Sequence, residues 1–243
     1  MGLSLNIRPQ PPPSSRPKSP SDGRRALLAG ESILLMDRPS INRRRRNARI
    51  ATMPKLSPVA RARKIKLLLF DVDGVLTDGK IYLFPVPSEG QHPIVVEAKG
   101  FSAHDGAGIS LARIGGLKTG LITRRNSETV ALRARDLKLE YVYQGIRDKL
   151  AAFREILGKE GISPSAAAFV GDDVIDLPPM QNCGLSIAVA NARNEVKRNA
   201  HYITPHAGGE GALRDAIEYI LKSQGKWKQA VEKYVGGESK LGN

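Results

Sequence analysis

Residues 66–80 read Lys66-Leu67-Leu68-Leu69-Phe70-Asp71-Val72-Asp73-Gly74-Val75-Leu76-Thr77-Asp78-Gly79-Lys80. Four apolar residues run straight into two aspartates at i and i+2, with a glycine directly behind them. A short apolar run ended by turn residues reads as a buried strand. Two carboxylates at the mouth of such a strand are costly unless a metal, a cation or a proton matches their charge. In open α/β sheets the carboxyl ends of the strands are where ligands bind. The stretch therefore implies metal-assisted chemistry on an anionic substrate. Asp73-Gly74 alone would favour an Asx turn; it is the whole string that favours chemistry.

Working outward, strand-like runs at Lys66–Phe70, Leu117–Thr123, Ala167–Val170, Leu185–Ala190 and Tyr202–Thr204 alternate with helical patterns. The helical patterns lie at Gly106–Ile114, Ser127–Leu137, Asp148–Glu160, Asp176–Cys183 and Asn194–Asn199, and a final pair lies at Glu210–Ser223 and Lys226–Tyr234. This alternation implies an α/β fold, a Rossmann-like, doubly wound parallel sheet covered on both faces. One segment, Ile81–Ala98, breaks it: β-branched and aromatic residues flank a Pro/Ser/Gly turn, the pattern of a short hairpin inserted after the first strand. It is too short for a lid domain.

Three more motifs fall at element ends. Thr123 closes the Leu121-Ile122-Thr123 run; it could donate to an anion or simply cap a helix. Lys149 opens a helix, where a cation is unfavourable without an anionic partner, although a lone lysine is usually solvated. Gly171-Asp172-Asp173-Val174-Ile175-Asp176 is a second strand emptying into carboxylates.

The string DVDGVLTDG resembles the first motif, DxDGxxTD, of the haloacid-dehalogenase-like phosphatases, and GDDxxD resembles their last. All four motifs occur in the superfamily's order. The resemblance spans about residues 65–225. It implies that Asp71 is the nucleophile, that Asp73 is a general acid and then base, and that Thr123 and Lys149 hold the phosphate. It also implies that Mg²⁺ is held by Asp71, the Asp73 backbone carbonyl and Asp172, with Asp173 and Asp176 as supporting or capping groups.

Finer features narrow the likeness: DGVLTDGxIY, the hairpin, the run Lys99–Ile109, Gln144-Gly145, Gly184–Ala190 and Gly208–Arg214. They are similar to the 3-deoxy-D-manno-octulosonate 8-phosphate phosphatase family. That family hydrolyses a sugar-acid phosphate on the route to lipopolysaccharide, lacks a large cap, and forms tetramers in which neighbouring hairpins and C-terminal segments help to close the site. Three departures stand out. Arg124 occupies the glycine position of the family's Thr-Gly-Arg, His104 stands at a variable, often basic position, and the hairpin is long and carries Pro85, Pro87 and Pro93.

Composition sets the remaining bounds. The 243 residues suit one domain and an appendage. The single cysteine, Cys183, forbids an internal disulfide and fits a reducing, cytoplasmic compartment. No apolar run approaches the roughly 20 residues that span a bilayer, so no membrane partner is expected. The net charge of +14 is concentrated: residues 1–64 hold fifteen Lys/Arg against three acids. Residues 1–60 read as a disordered basic Pro/Ser/Arg-rich extension and 61–243 as the catalytic domain. The extension is open to several readings: a solvated appendage preceding a start at Met53, a targeting peptide, a tail for nucleic acid or membrane built on Arg43–Arg46, or, least in keeping with its interrupted apolar stretch, a secretory signal. Aromatic residues are not interleaved with its charges, so no nucleic-acid partner is expected. His92, His201, His206 and Cys183 lack metal-ligand spacing.

Overall fold

The structure is a computed structural model, and it describes residues 56–87 and 94–237. The basic segment up to residue 55, with Met53 and Arg43–Arg46, and the hairpin turn with His92 and Pro93 lie outside the described residues.

Six strands form one parallel sheet in the order β5-β4-β1-β6-β7-β8. They are β1 Leu67–Phe70, β4 Lys118–Ile122, β5 Tyr141–Tyr143, β6 Ala167–Gly171, β7 Leu185–Ala188 and β8 Tyr202–Ile203. Every residue of β1, β6 and β7 is buried. A strand covered on both faces needs an unbroken apolar run rather than an alternating one. From β1 the chain builds outward through β4 and β5, then returns to the other side of β1 to lay down β6, β7 and β8. The order thus reverses at β1, and the crevice between β1 and β6 is the ligand position of such folds.

The helices are α1 Pro58–Ala62, α2 Ala103–Ile114, α3 Glu128–Asp136, α4 Lys149–Glu160, α5 Leu177–Asn182, α6 Asn194–Arg198, α7 Ala212–Ser223 and α8 Trp227–Val235. α2 packs on α7 and α8, and α4 packs on α5. Gly108 lets α2 and α7 approach closely, since a Cβ there would lie 3.1 Å from Arg214 Cα. Phe153 from α4 meets Phe169 from β6 edge-on at 6.5 Å, within the core on that side of the sheet.

The structure differs from the sequence reading at three places. α2 begins at Ala103, not Gly106, because the Ser102 hydroxyl accepts the His104 N–H and starts the helix a turn earlier. β5 was not anticipated: it is three residues long and only half buried, too short to give a periodic signal. The boundary expected between residues 60 and 61 falls inside α1, whose Ala62 is fully buried and whose Arg61 donates to the Gly184 carbonyl at 2.8 Å. No described helix is long and apolar enough to cross a membrane.

The inserted hairpin is a separate antiparallel pair, β2 Tyr82–Val86 and β3 Ile94–Ala98, registered Tyr82↔Ala98 through Val86↔Ile94. Its apolar residues are unusually bare: Leu83, Ile94 and Val95 are each 60% exposed and Phe84 is 52% exposed.

Candidate active site

The site grows from the turn that ends β1. Asp71 Oδ1 accepts the Val72 N–H at 2.7 Å, which fixes the carboxylate at the strand mouth. The chain then loops through residues 72–76, with Gly74 at φ +90, a conformation that L side chains rarely adopt. Thr77 pins the loop: its N–H and its hydroxyl both donate to the Val72 carbonyl, and Oγ1 accepts from Gly79 N. Asp78 faces away, accepting from Lys80 N and pairing with the Lys80 ammonium at 3.1 Å.

Gly74 has a second role. A Cβ there would stand 2.2 Å from Asp172 Oδ2, so only glycine lets the carboxylate at the end of β6 reach the turn after β1. Asp71, Asp172 and Asp176 each bring a carboxylate oxygen within 4.8 Å of the others. Lys149, the first residue of α4, reaches between two of them, 2.8 Å from Asp71 Oδ2 and 2.7 Å from Asp176 Oδ1. The partner demanded by a cation at a helix N-terminus is therefore this carboxylate pair.

The acids are not equivalent. Asp176 uses its second oxygen to accept from the N–H groups of Asp172 and Asp173, at 3.1 and 3.4 Å, so it shapes the loop after β6. Asp173 is exposed and caps the next turn through Val174 N. Asp172, in contrast, has a buried Oδ1 with no hydrogen-bond partner. A bare buried carboxylate oxygen is strongly disfavoured. Burial first, then the charges of Asp176, Asp71 and Asp173, push the Asp172 carboxyl up to about 7. Burial, then Asp176, raise Asp71 to about 6 against the opposing pull of Lys149. One ammonium among three carboxylates leaves an excess of negative charge, and the unpartnered oxygen of Asp172 faces it. These residues fit a hard divalent cation that prefers oxygen ligands. Asp172 offers the one buried oxygen of the three carboxylates that has no partner, and Asp71 stands beside it within reach of the same ion.

Thr123 lies buried at the end of β4, where its backbone N–H donates to the Tyr143 carbonyl and its hydroxyl accepts weakly from Arg125 N at 3.5 Å. Asp73 stands on the outer side of the turn, partly exposed, with Oδ1 2.5 Å from Lys99 Nζ and Oδ2 3.7 Å from Arg125 Nε. Sequence reasoning singled out neither cation. Lys99 enters the sequence reading only as the first residue of the run Lys99–Ile109, with no role given to it. Arg124 and Arg125 are both exposed, but Arg125 pairs with Asp73 and Glu97.

A sheet with this switch point, whose first and fourth strands empty paired carboxylates around a lysine, defines a haloacid dehalogenase-like hydrolase. The model of the haloacid dehalogenase-like hydrolase family matches residues 122–216. The chain belongs, more narrowly, to the family of 3-deoxy-D-manno-octulosonate 8-phosphate phosphatases. It is 41% identical over 172 residues to that enzyme of Escherichia coli K12, an alignment spanning 71% of this chain and 87% of the relative. The crystal structure of the Yersinia pestis enzyme superposes with a TM-score of 0.65 at 39% identity, over 70% of this chain and 88% of that one. The Moraxella catarrhalis enzyme, solved with magnesium, phosphate and KDO, gives 0.66 at 36% identity, over 73% and 97%.

Proposed function

We propose that the chain hydrolyses 3-deoxy-D-manno-octulosonate 8-phosphate to 3-deoxy-D-manno-octulosonate and phosphate, with Mg²⁺ as cofactor. The metal is supported by one observation, the bare, buried Oδ1 of Asp172 beside the Asp71 carboxylate at the switch point, and the substrate by the likeness to the octulosonate 8-phosphate phosphatases. Mg²⁺, when bound by Asp71, Asp172 and the Asp73 carbonyl, neutralises the carboxylates and polarises the phosphoryl group.

Asp71 is the nucleophile. A carboxylate oxygen of Asp71 forms a bond to phosphorus as the bond from phosphorus to the sugar oxygen breaks, leaving an aspartyl phosphate. Asp73 gives its proton to the departing alkoxide. It then takes a proton from water as that water attacks phosphorus, releasing phosphate and restoring Asp71. The Thr123 hydroxyl and the Lys149 ammonium steady the phosphoryl oxygens, where charge accumulates during transfer. Asp173 and Asp176 hold the loop that aims Asp172 and Lys149.

The chain works as a cytoplasmic homotetramer, and the apolar hairpin meets a neighbouring subunit. Exposed Leu83, Phe84, Ile94 and Val95 support this, since contiguous apolar surface of this kind marks an interface. The basic extension is a separate appendage that catalysis does not use. The test is phosphate release from the octulosonate 8-phosphate in Mg²⁺ and in excess chelator. Turnover only with Mg²⁺ is expected; equal rates in both would overturn the assignment.

A further inference from the structure

Strand β3 ends against the site. Lys99, the residue after it, has a side chain with no exposed surface, and its ammonium lies 2.5 Å from Asp73 Oδ1. A buried ammonium needs its charge matched. Glu97 Oε1 is also near, at 3.9 Å, but that carboxylate is already occupied. Arg125 Nη2 donates to it at 2.7 Å and the Ser127 hydroxyl at 2.5 Å, while Thr129 donates to the Glu97 carbonyl at 3.1 Å. The Lys99 ammonium is held chiefly by Asp73 Oδ1. Asp73 sits on an irregular turn beside Gly74, and among the described residues its side-chain partners are Lys99 and, more distantly, Arg125.

We propose that Lys99 is a positioning residue that acts through Asp73, fixing the rotamer of that side chain at the mouth of β1. This rests on the reading of Asp73 as the proton carrier. The clamp around Glu97 joins β3 to the loop after β4, so the ammonium is delivered from a fixed point. The same contact ties the inner end of the hairpin to the reaction.

The experiment is a double-mutant cycle on the full chain with Mg²⁺ and the octulosonate 8-phosphate. Lys99→Met is expected to lower kcat by about 100-fold, the lower range for a proton-transfer group, with KM unchanged within about threefold. Lys99→Arg should recover most of that loss. In an Asp73→Asn background, Lys99→Met should cost nothing further. Additive losses, or a raised KM at normal kcat, would overturn the proposal and make Lys99 a substrate contact instead. If the Met variant fails to fold, Lys99→Gln enters the same cycle. Wild-type kcat in Asp73→Asn would instead overturn the underlying reading of Asp73, whereas wild-type kcat in Lys99→Met beside a crippled Asp73→Asn overturns only the role of Lys99.

Discussion

The inner layer of the site and its outer layer are held by different means. Asp71, Lys149, Asp172 and Asp176 sit on strand ends and a helix start, and Asp71, Lys149 and Asp176 are almost wholly shielded. Their placement follows from the sheet. Asp73, Lys99, Glu97 and Arg125 sit on a turn, the base of a hairpin and a loop, and they hold one another by ion pairs. Their placement follows from mutual charge. Losses in the inner layer should therefore abolish chemistry or metal binding, while losses among the charges that hold Asp73 should detune it.

The largest effect is expected at Asp71. Asp71→Asn should lower kcat by about 10⁴-fold or more while the protein stays folded, because an amide supplies no attacking carboxylate oxygen. Circular dichroism together with phosphate release checks both halves. Gly74→Ala should be nearly as damaging for a different reason: the new methyl collides with Asp172 and the backbone at φ +90 disfavours it. Calorimetry should record Mg²⁺ affinity lower by at least about tenfold, from the displaced carboxylate alone. Normal Mg²⁺ affinity in the Gly74→Ala variant would show that Asp172 does not need this approach. In the outer layer, Arg125→Ala should cost only about tenfold in kcat/KM, as for a partly exposed supporting charge. A loss as large as that of Asp71→Asn would erase the distinction between the layers.

This contrast also explains what the sequence revealed. The inner layer was legible because each residue ends an apolar run or opens a helix, so spacing along the chain becomes position in space. Asp71, Asp172 and the parallel sheet could be picked out that way, whereas Thr123 and Lys149 took their roles from the family resemblance. The outer layer was only partly legible. Lys99 and Arg125 are brought to Asp73 by the hairpin register and a loop conformation that leave no periodic signal. β5 escaped for a related reason, being an edge strand of three residues.

A buried carboxylate outside both layers sharpens the comparison. Asp105 accepts the Arg214 N–H at 2.9 Å at the start of α7, while its Oδ2 is buried without a partner. Burial raises it from 3.8 to about 6. Its folded value lies above the unfolded one, so its contribution to stability is full below about pH 4 and is lost as pH rises through 6. Asp105→Asn keeps the acceptor and removes the titration. The unfolding free energy should then depend less on pH between 4 and 6, by a ceiling of about 3 kcal/mol, which denaturant titrations across that range would record. An unchanged pH profile would mean that the carboxyl is not charged at a cost. Smallest of all, deleting residues 1–52 should leave kcat/KM within about tenfold, or 1.4 kcal/mol; a greater loss in steady-state assays would bring the extension into the site.

The central claim is that Asp71 is phosphorylated. Rapid acid quench of the enzyme during turnover, followed by mass spectrometry of its peptides, tests it most directly. One phosphoryl group is expected on Asp71 in the peptide that continues from β1, absent from Asp71→Asn and absent without Mg²⁺. Steady turnover with no phosphoryl-enzyme trapped at any quench time, or with the group on another residue, would contradict the account.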